Sequence, residues 1–572
     1  MTTWQRRPAD EQHITHLMQE LHVSPVLARL LVNRKITTAP DATRFFAGEL
    51  THMHAPELMR DMDKAVARLA QAFTRREKIC VYGDYDVDGA VATAMLVLFF
   101  EELGVPVEYY IPNRLTEGYS LHNAAIDHLQ QQGVTLILTV DNGIMAHAAI
   151  AYAKTQGIDV IVTDHHHVGD TLPDAVAVVN PQRPDCTYPF KGICGAGVAF
   201  KLMIALRQHL RRSDFFKTGH FKDRLEPNLK LYFDLLCIPT VCDVVPLTDE
   251  NRIFVKSGLQ HLMSTKRLGL KALLNVCGLD GRTVTAGDLG FKLGPRINAC
   301  GRLEDASLGV RLLISRDAAE ALQLARRLDA LNLERRELER AMTEEALQKI
   351  QATADWQGKL GLVLFEPDWH IGVVGIVASR LAEKTGRPVI VLATAENGLI
   401  KGSGRSAAGV SLITALNACA ETLITFGGHE AAAGVTLDPA RIADFSRAFD
   451  VAVKAQITPT VLGKPLWVDD ELSAAQIDDK LITELSVLEP HGAANAKPLF
   501  VLRAGRVVAQ RVVGEQHLKL TLQAGDKTFD AIAFNTAAVP AAAAENLGVV
   551  FGLEHNQFRG EKKLQLVVKM FF

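Results

Sequence analysis

Between residues 78 and 180 the chain alternates between two kinds of segment, and that alternation restricts its fold more than any other feature. Lys78–Gly83, Val107–Ile111, Thr135–Val140, Ile158–Thr163 and Ala175–Val179 are short apolar runs rich in β-branched residues. Gly89–Leu103, Leu121–Gln132 and Met145–Gln156 lie between them and have the length of helices. Apolar strands separated by helical crossovers run parallel and are covered on both faces, so the spacing predicts a parallel α/β sheet. Such sheets bind ligands at the carboxyl ends of their strands. Three clusters follow their strands directly: Asp84, Asp86 and Asp88 within Val81–Ala90, then Asp141-Asn-Gly143, then Asp164-His-His166. A parallel sheet brings all three to one edge.

Three carboxylates at alternate positions repel one another and cost stability unless a cation gathers them or water solvates them. Asp84–Asp88 is flanked by Val-Tyr-Gly and an apolar helix, a poor setting for a solvated loop. Asp141-Asn-Gly143 alone fits a turn as well as a ligand set. Asp164-His-His-His167 fits a solvated loop, although three histidines beside an acidic strand end favour metal. Asp243, in Cys242-Asp-Val-Val-Pro246 after an apolar run, is either a turn cap or a fourth ligand. Carboxylates with one or two imidazoles and no thiolate favour Mg²⁺ or Mn²⁺ over structural Zn²⁺. Carboxylates from several strands can hold two cations about 3.5–4 Å apart, with Asp141 as the expected bridge. The pattern is that of a two-metal phosphoesterase.

A chain of 572 residues with net charge −3 is expected to form three or four domains, and any polyanion site must be a local groove. The longest apolar run, Ala90–Phe100, is closed by Glu101-Glu102 and is too short to cross a bilayer. No signal-peptide-like segment is seen near Met1, and the eight cysteines include no Cys-x-x-Cys pair, so a reducing cytoplasm is expected.

Residues 195–275 read mainly as helices. Asp317-Ala-Ala-Glu320 has the capping-box pattern and opens a helix to about Ala352, striped by Leu324, Leu328, Leu331, Leu338 and Met342. Such a helix, roughly 50 Å long, either bridges two domains or is one domain's last helix. A second α/β unit runs from Leu360–Phe365 to about Val453. Leu499–Val508, His517–Gln523, Thr528–Phe534, Val549–Glu554 and Leu564–Met570 then suit a small barrel such as an OB-fold. Its Arg503, Arg506, Arg511, Lys519, Lys562 and Lys563 suit a single-strand groove, while its near-neutral charge and few aromatics equally suit a docking module.

Taken in order, these segments resemble the DHH phosphoesterase superfamily and, within it, the bacterial RecJ branch. The resemblance rests on Tyr82-Gly-Asp-Tyr-Asp-Val-Asp-Gly89, Glu117-Gly-Tyr119, Asp141-Asn-Gly143, Asp164-His-His166, Gly195–Lys201, Asp243–Leu247 and Gly294–Arg302. Trp369–Arg380, Gly402-Ser-Gly-Arg-Ser406 and Gly427-Gly-His429 resemble the associated DHHA1 domain. The resemblance implies a parallel-sheet DHH domain with an N-terminal segment and helical insertion (1–316), a connector helix (317–354), a smaller α/β DHHA1 domain (355–456) and an OB-fold-like barrel (457–572).

The activity implied is 5′→3′ digestion of single-stranded DNA to 5′-mononucleotides with two Mg²⁺ or Mn²⁺ ions, in DNA repair and recombination. Asp86, Asp88, Asp141, His165 and Asp243 are the implied metal ligands, with Asp84 as support and His166 and Arg296 facing the scissile phosphate. Gly402–Ser406 reads as a phosphate cradle, its glycines admitting backbone N–H groups and Arg405 offering a forked donor. Ser403 and Arg405 resemble the family's clamp on a 5′-terminal phosphate, and Arg114, Tyr119, Arg302, Ser406 and His429 complete the implied substrate contacts. A clamp facing the metals across a rigid helix accounts for an exonuclease. The pyrophosphatase branch carries a metal-binding histidine four residues before the position of Asp86, where this chain has Tyr82. A phosphodiesterase on short RNA or cyclic dinucleotides is the alternative enzyme, and a catalytically dead scaffold would have lost carboxylates that this chain retains. A monomer with no membrane contact, supported by a helicase and a single-strand-binding protein, is expected.

Overall fold

The computed structural model describes residues 4–572 apart from 115, 218–223, 353–355, 396, 408, 458–464, 515–516, 537, 540–546 and 559–560. A short strand β1 (Trp4–Arg6) and helices α1 (Glu11–Leu21), α2 (Pro25–Asn33), α3 (Ala39–Ala47) and α4 (Met62–Arg75) precede the first sheet. That sheet is built from β2 (Ile79–Tyr82), β3 (Val107–Tyr110), β4 (Leu136–Val140), β5 (Asp159–Thr163) and β6 (Ala177–Val179), in the order β3-β2-β4-β5-β6 and parallel throughout. The crossovers are α5 (Val87–Leu103), α6 (Asn123–Gln131) and α7 (His147–Thr155). Period-two alternation divides the strands between two cores. Ile79, Val81, Leu136, Leu138 and Ile161 face α5, whereas Cys80, Tyr82, Ile137 and Val160 face α6 and α7.

α5 is buried almost all round, because α8 (Gly195–Arg212), α9 (Phe233–Cys242) and α14 (Ser307–Ile314) cover the side that the sheet leaves open. The intervening helices are α10 (Asp249–Met263), α11 (Leu268–Val276), α12 (Ala286–Asp288) and α13 (Gly294–Leu303). α15 (Ala318–Ala352) opens as its cap pattern predicts, with Asp317 Oδ1 accepting the Glu320 N–H at 2.7 Å. Leu324, Leu328 and Leu331 join the first core, and Met342, Ala346 and Ile350 join the next. The helix thus bridges two cores rather than ending one.

The second unit is a mixed sheet, β10-β11-β9-β8-β7, made of β7 (Leu362–Phe365), β8 (Val389–Thr394), β9 (Ile400–Arg405), β10 (Thr425–Gly428) and β11 (Ala432–Leu437). α16 (Ile371–Thr385) covers one face, with α17 (Leu412–Asn417) and α18 (Ile442–Lys454) on the other. Beyond β12 (Leu466–Val468), β13 (Asp470–Glu471) and α19 (Asp479–Leu485) comes the barrel: β14 (Phe500–Val513), β15 (His517–Ala524), β16 (Lys527–Ala533), β17 (Leu547–Phe558) and β18 (Glu561–Phe571). β14 pairs with both β15 and β17, which closes the barrel. Register shifts at Leu502/Gly505 and Val507/Ala509 bend it between these partners. β14 runs past its expected end at Val508 because the ladder with β15 continues through exposed Gln510 and Arg511, where the apolar pattern lapses.

Of the helices that precede the first sheet, α4 joins its core but α1, α2 and α3 do not. Ile14, Leu17, Leu27 and Leu31 share a core with Leu481, Leu485, Phe500 and Phe551 of the C-terminal region, and β1 runs parallel to β12. Arg252 of α10 fastens this assembly to the first unit. Its buried guanidinium donates to the carbonyls of Phe45, Val487, Leu488 and Glu489 and stacks 3.7 Å from the Phe45 ring.

Candidate active site

The strand ends of the first sheet converge as the spacing predicts. β2 delivers Asp84–Asp88, β4 delivers Asp141 and β5 delivers Asp164–His166. Asp243 arrives from the end of α9. Three groups of donors lie within 4.8 Å of one another: Asp84, Asp86 and Asp141; Asp88, His165 and Asp243; Asp141, His165 and His166. Asp141 and His165 each belong to two of these groups, so the clusters form one continuous centre.

Local structure fixes each donor. Asp86 caps α5, accepting from Asp88 N at 2.8 Å and Gly89 N at 3.2 Å. Asp88 accepts from the N–H groups of Gly195 and Ala196, at 2.6 and 2.8 Å, where the α8 dipole favours its charge. Asp141 takes a left-handed backbone, φ 63°, so its carboxylate turns back over the sheet edge. A methyl group at Gly195 would stand 2.7 Å from Asp141 Cβ, so only glycine lets α8 approach this closely. Asp164 accepts from Ile144 N, His165 N, His166 N and His166 Nδ1 at 2.7–3.1 Å.

The electrostatics are those of a cation site. Burial, followed by mutual repulsion, raises the carboxyls of Asp84 and Asp141 well above their usual range. Burial and then Asp86 push Asp88 up to about 7, while burial, Asp88 and Asp86 push Asp243 up to about 9. Burial and the neighbouring His166 lower His165 to about 4, which leaves its imidazole neutral, as a ligand must be. His166 is the opposite case: burial alone would lower it, but the Asp164 hydrogen bond and charge outweigh that and raise it to about 9. His165 Nε2 stands 3.1 Å from Asp141 Oδ1 and 3.7 Å from oxygens of Asp88 and Asp243. Yet His165 Nε2, Asp84 Oδ1 and Asp141 Oδ1 are buried and lack a hydrogen-bond partner. Buried polar atoms are rarely left so, and hard oxygens with one neutral imidazole fit Mg²⁺ or Mn²⁺. The nearby Cys194 thiol, raised by burial, is no competing ligand.

Opposite this centre lie cationic and aromatic groups. Tyr119 OH reaches the Asp141 carbonyl at 3.3 Å and His166 Nδ1 at 3.4 Å. Arg114 stacks 4.9 Å over the Tyr85 ring. Burial, and then the charges of Arg114 and Arg335, lower Arg302 to about 9, and it also senses Asp86 and Arg405. Arg405 NH1 donates to Ser403 Oγ at 2.9 Å and to the Gly404 carbonyl at 2.7 Å. His429 packs against His167 from across the gap, with ring centroids 5.4 Å apart and planes inclined at 58°.

Several expectations change. Arg296 does not face the centre: its Nε and NH2 pair with Asp329 of α15, each at 2.8 Å, and NH1 donates to the Lys292 carbonyl. Asn298, on the other face of α13, reaches the site instead, accepting the Val87 N–H at 2.9 Å. Asp84, expected as support, holds an unpartnered oxygen among the donors. Gly402–Ser406 is no backbone cradle, because β9 is an inner strand hydrogen-bonded to β8 and β11. Its glycines avoid β8, since methyl groups there would stand 2.4 Å from Leu392 and 2.5 Å from Ile390. What the strand offers instead is a pair of side chains, Ser403 and Arg405, hydrogen-bonded to each other. Ser406 is occupied in its own loop by the Val410 carbonyl. Tyr82 is buried, bonded to the Ser120 carbonyl and stacked on Tyr110. Sequence reasoning passed over Asn298 and Arg335; Asn298 was detectable, standing one helical turn before Arg302 on the same face.

Comparison with known proteins agrees with this architecture. Residues 78–236 match the DHH family N-terminal domain, 358–455 the DHHA1 domain and 468–570 the RecJ OB domain. The chain is 41% identical to the single-stranded-DNA-specific exonuclease RecJ of Salmonella typhimurium, over 98% of each chain. It is 36% identical to that of Bacillus subtilis, over 99% of this chain and 70% of the other. The structure of RecJ from Thermus thermophilus in complex with Mn²⁺ superposes with TM-score 0.83 at 31% identity, covering 100% of this chain and 79% of that one. The Mg²⁺ complex gives 0.78 at 30% identity, covering 100% and 78%.

Proposed function

The chain belongs to the RecJ family of single-stranded-DNA-specific exonucleases, and from that membership we propose how its own residues carry out the reaction. The protein hydrolyses single-stranded DNA with Mg²⁺ or Mn²⁺ as cofactor. The finer reading is 5′→3′ digestion releasing 5′-mononucleotides. One observation carries it: unpartnered metal donors on one α/β unit face a paired serine and arginine on another, with Arg114 and Arg302 between them.

Asp86, Asp88, Asp141, His165 and Asp243 would hold the metals, joined by Asp84. Bound there, the two ions supply Lewis acidity at the phosphoryl group and a more acidic water. Asp164 holds His166 as a cation beside the scissile phosphate, where it offsets developing negative charge and can donate a proton to the leaving oxygen. Ser403 and Arg405 bind the terminal 5′-phosphate, and Arg114 and Arg302 attract the phosphate that follows. Tyr119 and His429 line the slot. Residues 317–354 connect the catalytic unit to a clamp unit at 355–456, and the barrel at 457–572 carries the N-terminal helices with it. A helicase and a single-strand-binding protein fit as partners of this monomeric cytoplasmic enzyme, because its substrate must first be unwound.

Strands of DNA and RNA labelled at either end, and duplex, should be incubated with Mn²⁺ or with chelator, for the native protein and Asp141→Ala. Expected is mononucleotide release from 5′-ends of single-stranded DNA, abolished by chelator and by the substitution. Chelator-resistant activity, or an active Asp141 variant, would overturn the metal assignment.

A further inference from the structure

The DHHA1-like motif Trp369–Arg380 carries glycines at 372 and 375 that neither the metal centre nor the clamp uses directly. Their surroundings form a continuous line of close contacts. At one end, the 84–88 loop is tied to α13 by the Val87 N–H bond to Asn298, and a methyl group at Gly301 would stand 2.4 Å from the Tyr85 carbonyl oxygen. In the middle, a methyl group at Gly372 would stand 2.0 Å from the Arg302 carbonyl oxygen, while Arg302 NH1 donates to the Gly372 carbonyl at 3.3 Å. At the other end, a methyl group at Gly375 would stand 3.1 Å from Ser403 Oγ and 3.3 Å from Arg405 NH2. α16 is also held from behind. Glu339 of α15, buried at 9% exposure, accepts from Arg335 at 2.7 Å and from Arg380 of α16 at 2.8 Å.

α13 and α16 therefore meet backbone to backbone at Gly372, while the short Asn298 side chain ties α13 to the metal loop and Gly375 lies directly against the clamp side chains Ser403 and Arg405. Such a stack transmits position faithfully, because close-packed groups are hard to compress.

We propose that the α13–α16 contact at Gly372 is the gauge of this enzyme: it sets the separation between end clamp and metal centre so that the first phosphodiester, one nucleotide in, lies at the metals. Gly372, seconded by Glu339, is a positioning residue and touches no substrate. The inference rests on the clamp reading above, and its test separates the two. Added bulk at Gly372 must shift α16 by on the order of 1 Å, and a misplacement of that size can cost about 100-fold in rate. Each half-site stays whole while their joint use is lost.

Gly372→Ala should lower kcat on 5′-phosphorylated single strands about 10- to 100-fold. Metal-free affinity for the same strand, read by anisotropy, and Mn²⁺ affinity, read by calorimetry, should stay within about threefold. Substrates whose terminal nucleoside is replaced by propanediol or butanediol supply the geometric readout: the variant should cut the longer linker relatively better than the native protein does. Glu339→Gln, which keeps the side-chain shape, should show the same pattern more weakly and stands in if Gly372→Ala does not fold. An unchanged kcat and linker ratio in both variants would overturn the gauge. Arg405→Ala tests the clamp separately; if it leaves the preference for phosphorylated ends intact, the clamp reading fails instead.

Discussion

Replacing Arg405 by alanine separates the clamp from the chemistry. Arg405 NH1 is committed to Ser403 Oγ and the Gly404 carbonyl, which orients the guanidinium and leaves Nε and NH2 to donate to a phosphate. Two charge-assisted bonds at about 1.5–3 kcal/mol each bracket the loss, and the field of Arg114 and Arg302 remains to attract the anion. We therefore take the lower end, about 3 kcal/mol, which corresponds to roughly 150-fold in kcat/KM. The assay compares 5′-phosphorylated with 5′-hydroxyl strands at fixed ionic strength. The native protein prefers the phosphate; in the variant that preference collapses, whereas Mn²⁺ affinity by calorimetry is unchanged. Equal loss on both kinds of end, or weakened Mn²⁺ binding, would refute the reasoning.

Asp141→Asn removes a carboxyl whose ionised form is disfavoured by burial and by Asp88, Asp86 and Asp84, so in chelator at neutral pH the variant should melt higher than the native protein. It should also lose the native protein's rise in melting temperature on adding Mn²⁺, as scanning calorimetry will show. Arg296→Ala should change kcat/KM by less than about threefold, because that side chain is committed to Asp329; a loss near 100-fold would return it to the site. Arg252→Met deprives four carbonyls of a donor and should cost about 3–5 kcal/mol, read by urea denaturation, without altering kcat per folded molecule.

The metal centre was legible because two local patterns reinforce each other. Alternating apolar runs predict the sheet, and the sheet's polarity then places Asp84–Asp88, Asp141 and Asp164–His166 together without further assumption. Asp243 could not be placed by that logic, since it comes from a helix end; its position after an apolar run left it a turn cap or a fourth ligand, and only the motif series favoured the ligand. Arg296 failed for a related reason. A motif names residues but not the helical face they occupy, and Arg296 stands about 200° round α13 from Asn298. The glycines of Gly402–Ser406 misled because a glycine admits close approach by anything, and here the approaching group is β8 rather than phosphate. The pairing of the N-terminal helices with the barrel had no local signature, because what decides it is complementarity between distant apolar faces.

That last pairing bears on how the chain is made. Ser24 N–H meets Glu484 across 460 residues, and the apolar faces of α1 and α2, which pack on each other, are completed by residues of the barrel region. At about 5–20 residues per second, a ribosome needs roughly 20–90 s to supply those partners, during which the catalytic sheet can complete itself. The earliest helices therefore wait, exposed, for the last strands. Holding factors that bind nascent chains should engage residues 11–47 longer than any segment of the catalytic sheet, and a chain stalled within the barrel should be captured there first.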